Sequence, residues 1–257
     1  MKPALFNNQK HWQFDSFNKI TSVRHLVTGS NLHIQRGDIE GLNYGLNVPD
    51  QTSVVHNNRL ELLNHLDIVD GFVTFPIQTH SCTVEIVTEE NKKATFQDVD
   101  ALITNTPNIL IGVLSADCVP VLLADPVTKV VACIHAGWRG TTAEIVKHTI
   151  SKMQLEFGCI SSNIIAGIGP SISAANYEVG EDVAIHFRSV SKEKLPNGKS
   201  CIDLWIENKM QLLEMGLKEE NISISKLCTY SDPTAFYSAR RDGITTGRIA
   251  SVIALVA

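Results

Sequence analysis

Residues 115–140 read SADCVPVLLADPVTKVVACIHAGWRG, and the fold turns on how this stretch is parsed. The runs Val119 to Ala124 and Val130 to Ile134, preceded by Ile109 to Leu114, are apolar throughout, the pattern of strands buried on both faces. Asp125-Pro126-Val127-Thr128 punctuates the last two, so they form a hairpin. Antiparallel pairing then delivers Cys118, at the entry of one strand, and His135, at the exit of the next, to the same rim. Asp117 and the turn His135-Ala136-Gly137-Trp138-Arg139-Gly140 sit there as well. Apolar positions 143, 146, 150, 153 and 157 follow at helical spacing, and Gly158 caps that helix. The 135–140 turn therefore lies at a helix N-terminus.

Working outward, the first hundred residues read as strand-rich and irregular, with turn signals at Arg36-Gly37-Asp38, Asn43-Tyr44-Gly45 and Val48-Pro49-Asp50. Val54 to Leu66 is expected to be a helix capped by Ser53. Val73 to Phe75 and Val84 to Val87 read as strands on either side of the segment that carries Gln78 and His80. Further on, Ile164 to Ile168 reads as a strand, Glu181 to Val190 as a short helix, and Asp203 to Met215 as a helix closed by Gly216. Ile222 to Leu227 and Ile249 to Val256 complete the strands. Strands and helices interleave irregularly, which implies an α/β (α+β) fold with a mixed sheet layered by helices. Residues 1–257 are read as a single domain, since no linker or repeat interrupts them.

A net charge of −5 excludes a nucleic-acid binder that relies on a basic face, and no apolar run is long enough to span a bilayer or to act as a signal peptide. The expected location is the cytoplasm. The six cysteines form no CxxC pair, which fits reduced thiols rather than a disulfide framework.

A catalytic zinc takes three protein ligands and keeps one position open, and His80, Cys118 and His135 would supply such a set. The hairpin brings the last two together. Spacing alone does not bring His80 to them, and a lone histidine at a strand end is more often a hydrogen-bonded structural residue.

Several segments carry a resemblance: QTH (78–80), DVDALIT (98–104), SADCVPVLLADP (115–126), HAGWRG (135–140), GPSISAANYEVGEDV (169–183), DLWIENKMQLLEMG (203–216) and CTYSDPTAFYSARRDGITTGR (228–248). Through them nearly the whole chain resembles the YfiH family, also called laccase domain or polyphenol oxidase proteins and described as zinc-dependent purine nucleoside phosphorylases. The resemblance implies a YfiH-like fold and His80, Cys118 and His135 as metal ligands. It also implies phosphorolysis of adenosine, inosine, guanosine and methylthioadenosine, and deamination of adenosine. The chain departs from the family pattern at Thr28-Gly29-Ser30, at Ala175-Asn176-Tyr177-Glu178, where relatives carry a CCYEVG stretch, and at Ser231, where many carry Cys. None of these touches the three ligands.

Under that reading Zn²⁺ is the cofactor, with Cu²⁺ able to occupy the same site, and the partners are purine nucleosides and phosphate for a monomeric enzyme. Arginine offers the planar fork that orients phosphate. Arg139 leads the candidates because of its helix N-terminus, followed by Arg59, Arg240 and Arg241; each has the alternative of tying loops together. Asn47 is a candidate substrate contact or a turn residue, and Gln78 a substrate contact or a partner of backbone. Asp117 is expected to orient a ligand imidazole or carry a proton, and Trp138 to be core or a stacking surface. Two other enzymes stay open: a Cys118/His135 hydrolase acting on an amide, including peptidoglycan precursor editing, and a copper-dependent polyphenol oxidase. The latter is disfavoured by the absence of any HxH pair among nine histidines. A non-catalytic zinc protein would need a fourth ligand, and none accompanies the triad.

Overall fold

The computed structural model describes residues 1–256. One six-stranded sheet has the order β1 (Lys2–Phe6), β2 (Gln9–Gln13), β3 (Val23–Thr28), β15 (Ile249–Leu255), β7 (Ile109–Ser115), β4 (Phe72–Thr74). The second runs β14 (Ile222–Ile224), β10 (Ile165–Ile168), β8 (Val119–Asp125), β9 (Val130–Ala136), β6 (Ala101–Thr104), β5 (Val84–Ile86). A three-stranded sheet joins β11 (Glu178–Val179), β13 (Ser200–Ile202) and β12 (Lys192–Lys194). The helices are α1 (Thr52–His65), α2 (Trp138–Thr142), α3 (Ile145–Phe157), α4 (Glu181–Ala184), α5 (Leu204–Glu214) and α6 (Ala239–Asp242).

Period-two alternation explains the layering. Ile109, Ile111 and Val113 of β7 meet Leu122 and Ala124 of β8 and Val131 and Cys133 of β9 in a core between the two large sheets. Their neighbours face outward. Leu110 packs with Val252 and Ala254 of β15 under Leu62 and Leu63 of α1, whereas Val121, Leu123, Ala132 and Ile134 lie under Ile150 and Met153 of α3 and Leu212 of α5. The order is thus helix, sheet, sheet, helix, and both faces of β7, β8 and β9 are covered. That is why these strands are apolar without alternation. No helix among the described residues is long and apolar enough to cross a membrane.

The hairpin forms as expected, with Val119 opposite Ala136 and Asp125 opposite Val130. Asp125 Oδ1 accepts from the amides of Val127 (2.9 Å) and Thr128 (3.3 Å) to close its turn. Gly158 ends α3 at φ 68°, its N–H bonded to Gln154 O, and Gly216 follows α5 at φ 86°. Four expectations need correction. Gln51, not Ser53, is the N-cap of α1, and Ser53 falls inside the first turn. The helix after Gly140 is two helices, broken where Glu144 takes φ 58°. The helix expected over 181–190 stops at Ala184, and the chain turns at Ser189–Ser191 to enter β12. The strand expected over 222–227 stops at Ile224, ahead of Lys226 at φ 55°.

Candidate metal centre

The β8–β9 pairing sets Cys118 beside His135, and the loop after β4 brings in His80 from the neighbouring edge. The ligating atoms of His80, Cys118 and His135 all lie within 4.8 Å of one another, with Cys118 Sγ 3.7 Å from His80 Nε2. A tetrahedral zinc with ordinary bond lengths separates a sulfur and a nitrogen ligand by about 3.6 Å. Space for an ion is kept by Gly137, where a β-carbon would come within 2.6 Å of His80 Cδ2 and 3.0 Å of Cys118 Sγ. The residues present therefore fit a three-ligand site for Zn²⁺, and the imidazole and thiolate donors equally suit copper. It is the one such group of three or more His, Cys, Asp or Glu among the described residues.

Asp100, fully buried just ahead of β6, holds two of the three ligands. Its carboxylate accepts from His135 Nδ1 (2.7 Å) and from the backbone N–H of His80 (3.1 Å). Since Nδ1 of His135 is committed to Asp100, Nε2 is the nitrogen left for the site. Burial disfavours the charged form, raising the pKa of a thiol and lowering that of an imidazole, but here neighbouring charges prevail. Burial pushes the Cys118 thiol up, and His135 and His80 together pull it below the ordinary thiol value. Burial pushes His135 down, and Cys118 and Asp100 raise it above an ordinary imidazole. The pair thus favours thiolate beside imidazolium when no metal is bound.

A cavity of about 570 Å³ opens over the triad. Phe75, Ile77, Leu46 and Ile244 give it apolar walls, Arg59 and Arg248 give it positive charge, and no acidic residue lines it. The Arg59 guanidinium lies 4.6 Å over the Phe75 ring with Nε donating to Tyr44 O at 2.8 Å. Its two terminal nitrogens have no protein partner among the described residues. Burial lowers its pKa to about 10, so it keeps its charge at neutral pH. Asn47 borders the same cavity with its amide unbonded.

Other candidates go elsewhere. Arg139 is exposed, lies 4.2 Å over the Trp138 ring and is absent from the cavity wall; Trp138 itself packs against the helix-covered core. Arg241 donates to the carbonyls of Thr229, Tyr230 and Phe236 and pairs with Asp242, which ties its own loop. Arg240 donates to Glu178 O. Gln78 lines the cavity, but both ends of its amide pair with the backbone of Leu114 at 2.8 Å. Asp117 does not orient a ligand imidazole: its carboxylate accepts from Thr229 Oγ1 (2.6 Å) and Arg240 N (2.7 Å), pinning the 229–241 segment to the rim. The orienting role expected of it belongs to Asp100, because the residue entering β6 rather than the 116–118 turn faces His135 Nδ1. Asp100 and Arg248 escaped the sequence reading. Both stand at the mouth of a buried apolar strand, the same signal that pointed to Cys118.

A family model described as multi-copper polyphenol oxidoreductase laccase matches residues 24–256. The chain belongs to that family. Among its relatives, the purine nucleoside phosphorylase of Bacteroides thetaiotaomicron is 35% identical over an alignment of 264 positions, spanning 97% of this chain and 98% of its own. Adenosine deaminase RL5, from an unknown prokaryotic organism, is 36% identical over 233 positions, spanning 83% and 88% of the two chains. The crystal structure of Bacillus licheniformis YfiH superposes with a TM-score of 0.88 at 28% identity, covering 98% of each chain. This laccase-family member thus has relatives named for two reactions on nucleosides, and its YfiH-like fold matches a solved structure end to end.

Proposed function

We propose that the chain is a zinc-dependent purine nucleoside phosphorylase acting on adenosine, inosine, guanosine and methylthioadenosine, with adenosine deaminase activity at the same site. It works as a monomeric, single-domain, cytoplasmic enzyme. The observation that carries this reading is the convergence of His80, Cys118 and His135 on the floor of a cavity that pairs apolar walls with two arginines. Relatives named purine nucleoside phosphorylase and adenosine deaminase support it. A bound Zn²⁺ supplies Lewis acidity and lowers the pKa of water, which serves deamination, and it stabilises negative charge for phosphorolysis.

The protein's own residues do the rest. The apolar walls at Phe75, Ile77 and Ile244 take the flat base, as apolar surface does when it displaces water. Arg59 presents its unpaired fork to phosphate, held rigid by Tyr44 O and the Phe75 ring. Arg248, anchored to the carbonyls of Ile244, Thr246 and Gly247, adds fixed positive charge. Asn47 offers an amide to the sugar or base. Arg139, exposed four residues beyond His135 and outside the cavity wall, is a further candidate for phosphate. Metal content by elemental analysis, combined with product analysis on adenosine with and without phosphate, tests the proposal. Free adenine only with phosphate, inosine without it, and loss of both on chelation are expected; equal turnover in metal-free protein overturns it.

One observation favours a second reading. Asp100, His135 and Cys118 lie in sequence as an acid, an imidazole and a thiol lowered toward thiolate, the arrangement of a cysteine hydrolase for amides. Alkylation would abolish such activity and chelators would spare it. A copper polyphenol oxidase needs a cluster of several metal sites, and the described residues provide one group.

A further inference from the structure

We propose that Asp100 is the positioning residue that assembles the metal centre before any ion arrives. The inference rests on the metal reading of His80, Cys118 and His135. A carboxylate taken fully out of water is costly unless hydrogen bonds replace its hydration. Asp100 accepts five: from the backbone N–H of Thr79 (3.1 Å), His80 (3.1 Å) and Ser81 (2.7 Å), from Ser81 Oγ (2.8 Å), and from His135 Nδ1 (2.7 Å). Three consecutive amides converge on one side chain, so the 79–81 segment is wrapped around it.

The wrap carries a cost that shows what it is for. His80 sits at φ 62°, a left-handed backbone that a residue with a β-carbon adopts only when its surroundings hold it there. That conformation turns the imidazole toward Cys118. The other ligand is gripped twice by the same residue, since His135 N donates to the Asp100 carbonyl at 2.7 Å while Nδ1 donates to its carboxylate. A carboxylate at Nδ1 requires a proton there and leaves Nε2 as the nitrogen that faces the site. His80 and His135 make no hydrogen bond to each other; Asp100 is what they share.

The test compares wild type, Asp100→Asn and Ser81→Ala. The first variant turns one acceptor oxygen into a donor among donors, and the second deletes one bond while keeping the carboxylate. Three quantities are read: zinc affinity by competition with a chromogenic chelator, the His135 tautomer from imidazole ¹⁵N shifts in metal-free protein at alkaline pH, where the ring is neutral, and hydrogen exchange of amides 79–81 in metal-free protein. Asp100→Asn is expected to weaken zinc by about 10- to 100-fold, to mix the His135 tautomers and to speed exchange at 79–81, with Ser81→Ala close to wild type. Wild-type affinity in Asp100→Asn, with an unchanged tautomer, overturns the proposal. Metal-free wild type decides the matter even if that variant does not fold: a proton on Nε2 rather than Nδ1 of the neutral His135 ring would end it. Should wild type take up no zinc, the metal reading fails, while the tautomer and exchange data still report on Asp100.

Discussion

At Gly137 the absence of a side chain is a structural requirement, because the missing β-carbon would press on two ligands at once. Gly137→Ala should therefore weaken zinc by about 10-fold or more, by analogy with displaced supporting residues, while the melting transition stays cooperative; chelator competition and calorimetry read the two effects. Arg59 is separable from the metal. In Arg59→Lys the planar fork is lost, and a charge-assisted hydrogen bond is worth about 1.5–3 kcal/mol. The KM for phosphate should rise about 10- to 100-fold, with deamination of adenosine little changed, and steady-state kinetics with phosphate varied would expose a wrong assignment. Cys118 and His135 were legible in sequence because one hairpin carries both. His80 was not, since it arrives from another strand edge, and only the QTH resemblance pointed to it. Asp100 was missed because its role depends on facing His135 Nδ1, a contact between the residue ahead of β6 and the end of β9 that no spacing reports.

Among the elements, the N-terminal strands bury imidazoles that the site does not use. His11 on β2 has neither ring nitrogen hydrogen-bonded, and it packs 5.1 Å from His65 of α1, whose other charged neighbours are Glu61 and Arg36. His25 on β3 accepts from Phe14 N at 2.7 Å. Burial, with His65 adding to it at His11, lowers both pKa values to about 3. Both stay neutral in the folded chain, whereas a solvated histidine takes its proton near 6.5. Their contribution is complete above pH 6.5 and is lost progressively as pH falls toward 3. At pH 5 the cost is about 2 kcal/mol for each, so melting temperature should drop between pH 7 and 5, and His11→Phe should flatten that slope. The cap of α3 gives a smaller effect. Gly158→Ala meets no atom within 4 Å, so the left-handed φ alone acts, and denaturant titration should find a loss of about 1 kcal/mol. The glycine ends of α3 and α5 and the strands in long apolar runs were legible; the N-cap of α1, the break at Glu144 and the short α4 were not, because packing ended those helices where local spacing allowed them to continue.

Across the whole molecule, the rim that bears the triad is the edge of two sheets packed face to face. Ile111, fully buried between them, should cost about 2–5 kcal/mol when cut to Ala, measured by denaturant titration. Removing metal should abolish turnover and leave the far-ultraviolet circular dichroism unchanged, since the strands rest on apolar layers rather than on the ion. The fold class, the hairpin and the shared rim of Cys118 and His135 were determined by the sequence alone, because period and turn chemistry act between residues close along the chain. The arrival of His80, the grip of Asp100, the turning of Arg59 into the cavity and of Arg241 away from it were decided only by the tertiary structure. Those depend on which sheet edges meet, and that is settled by long-range packing of two apolar faces.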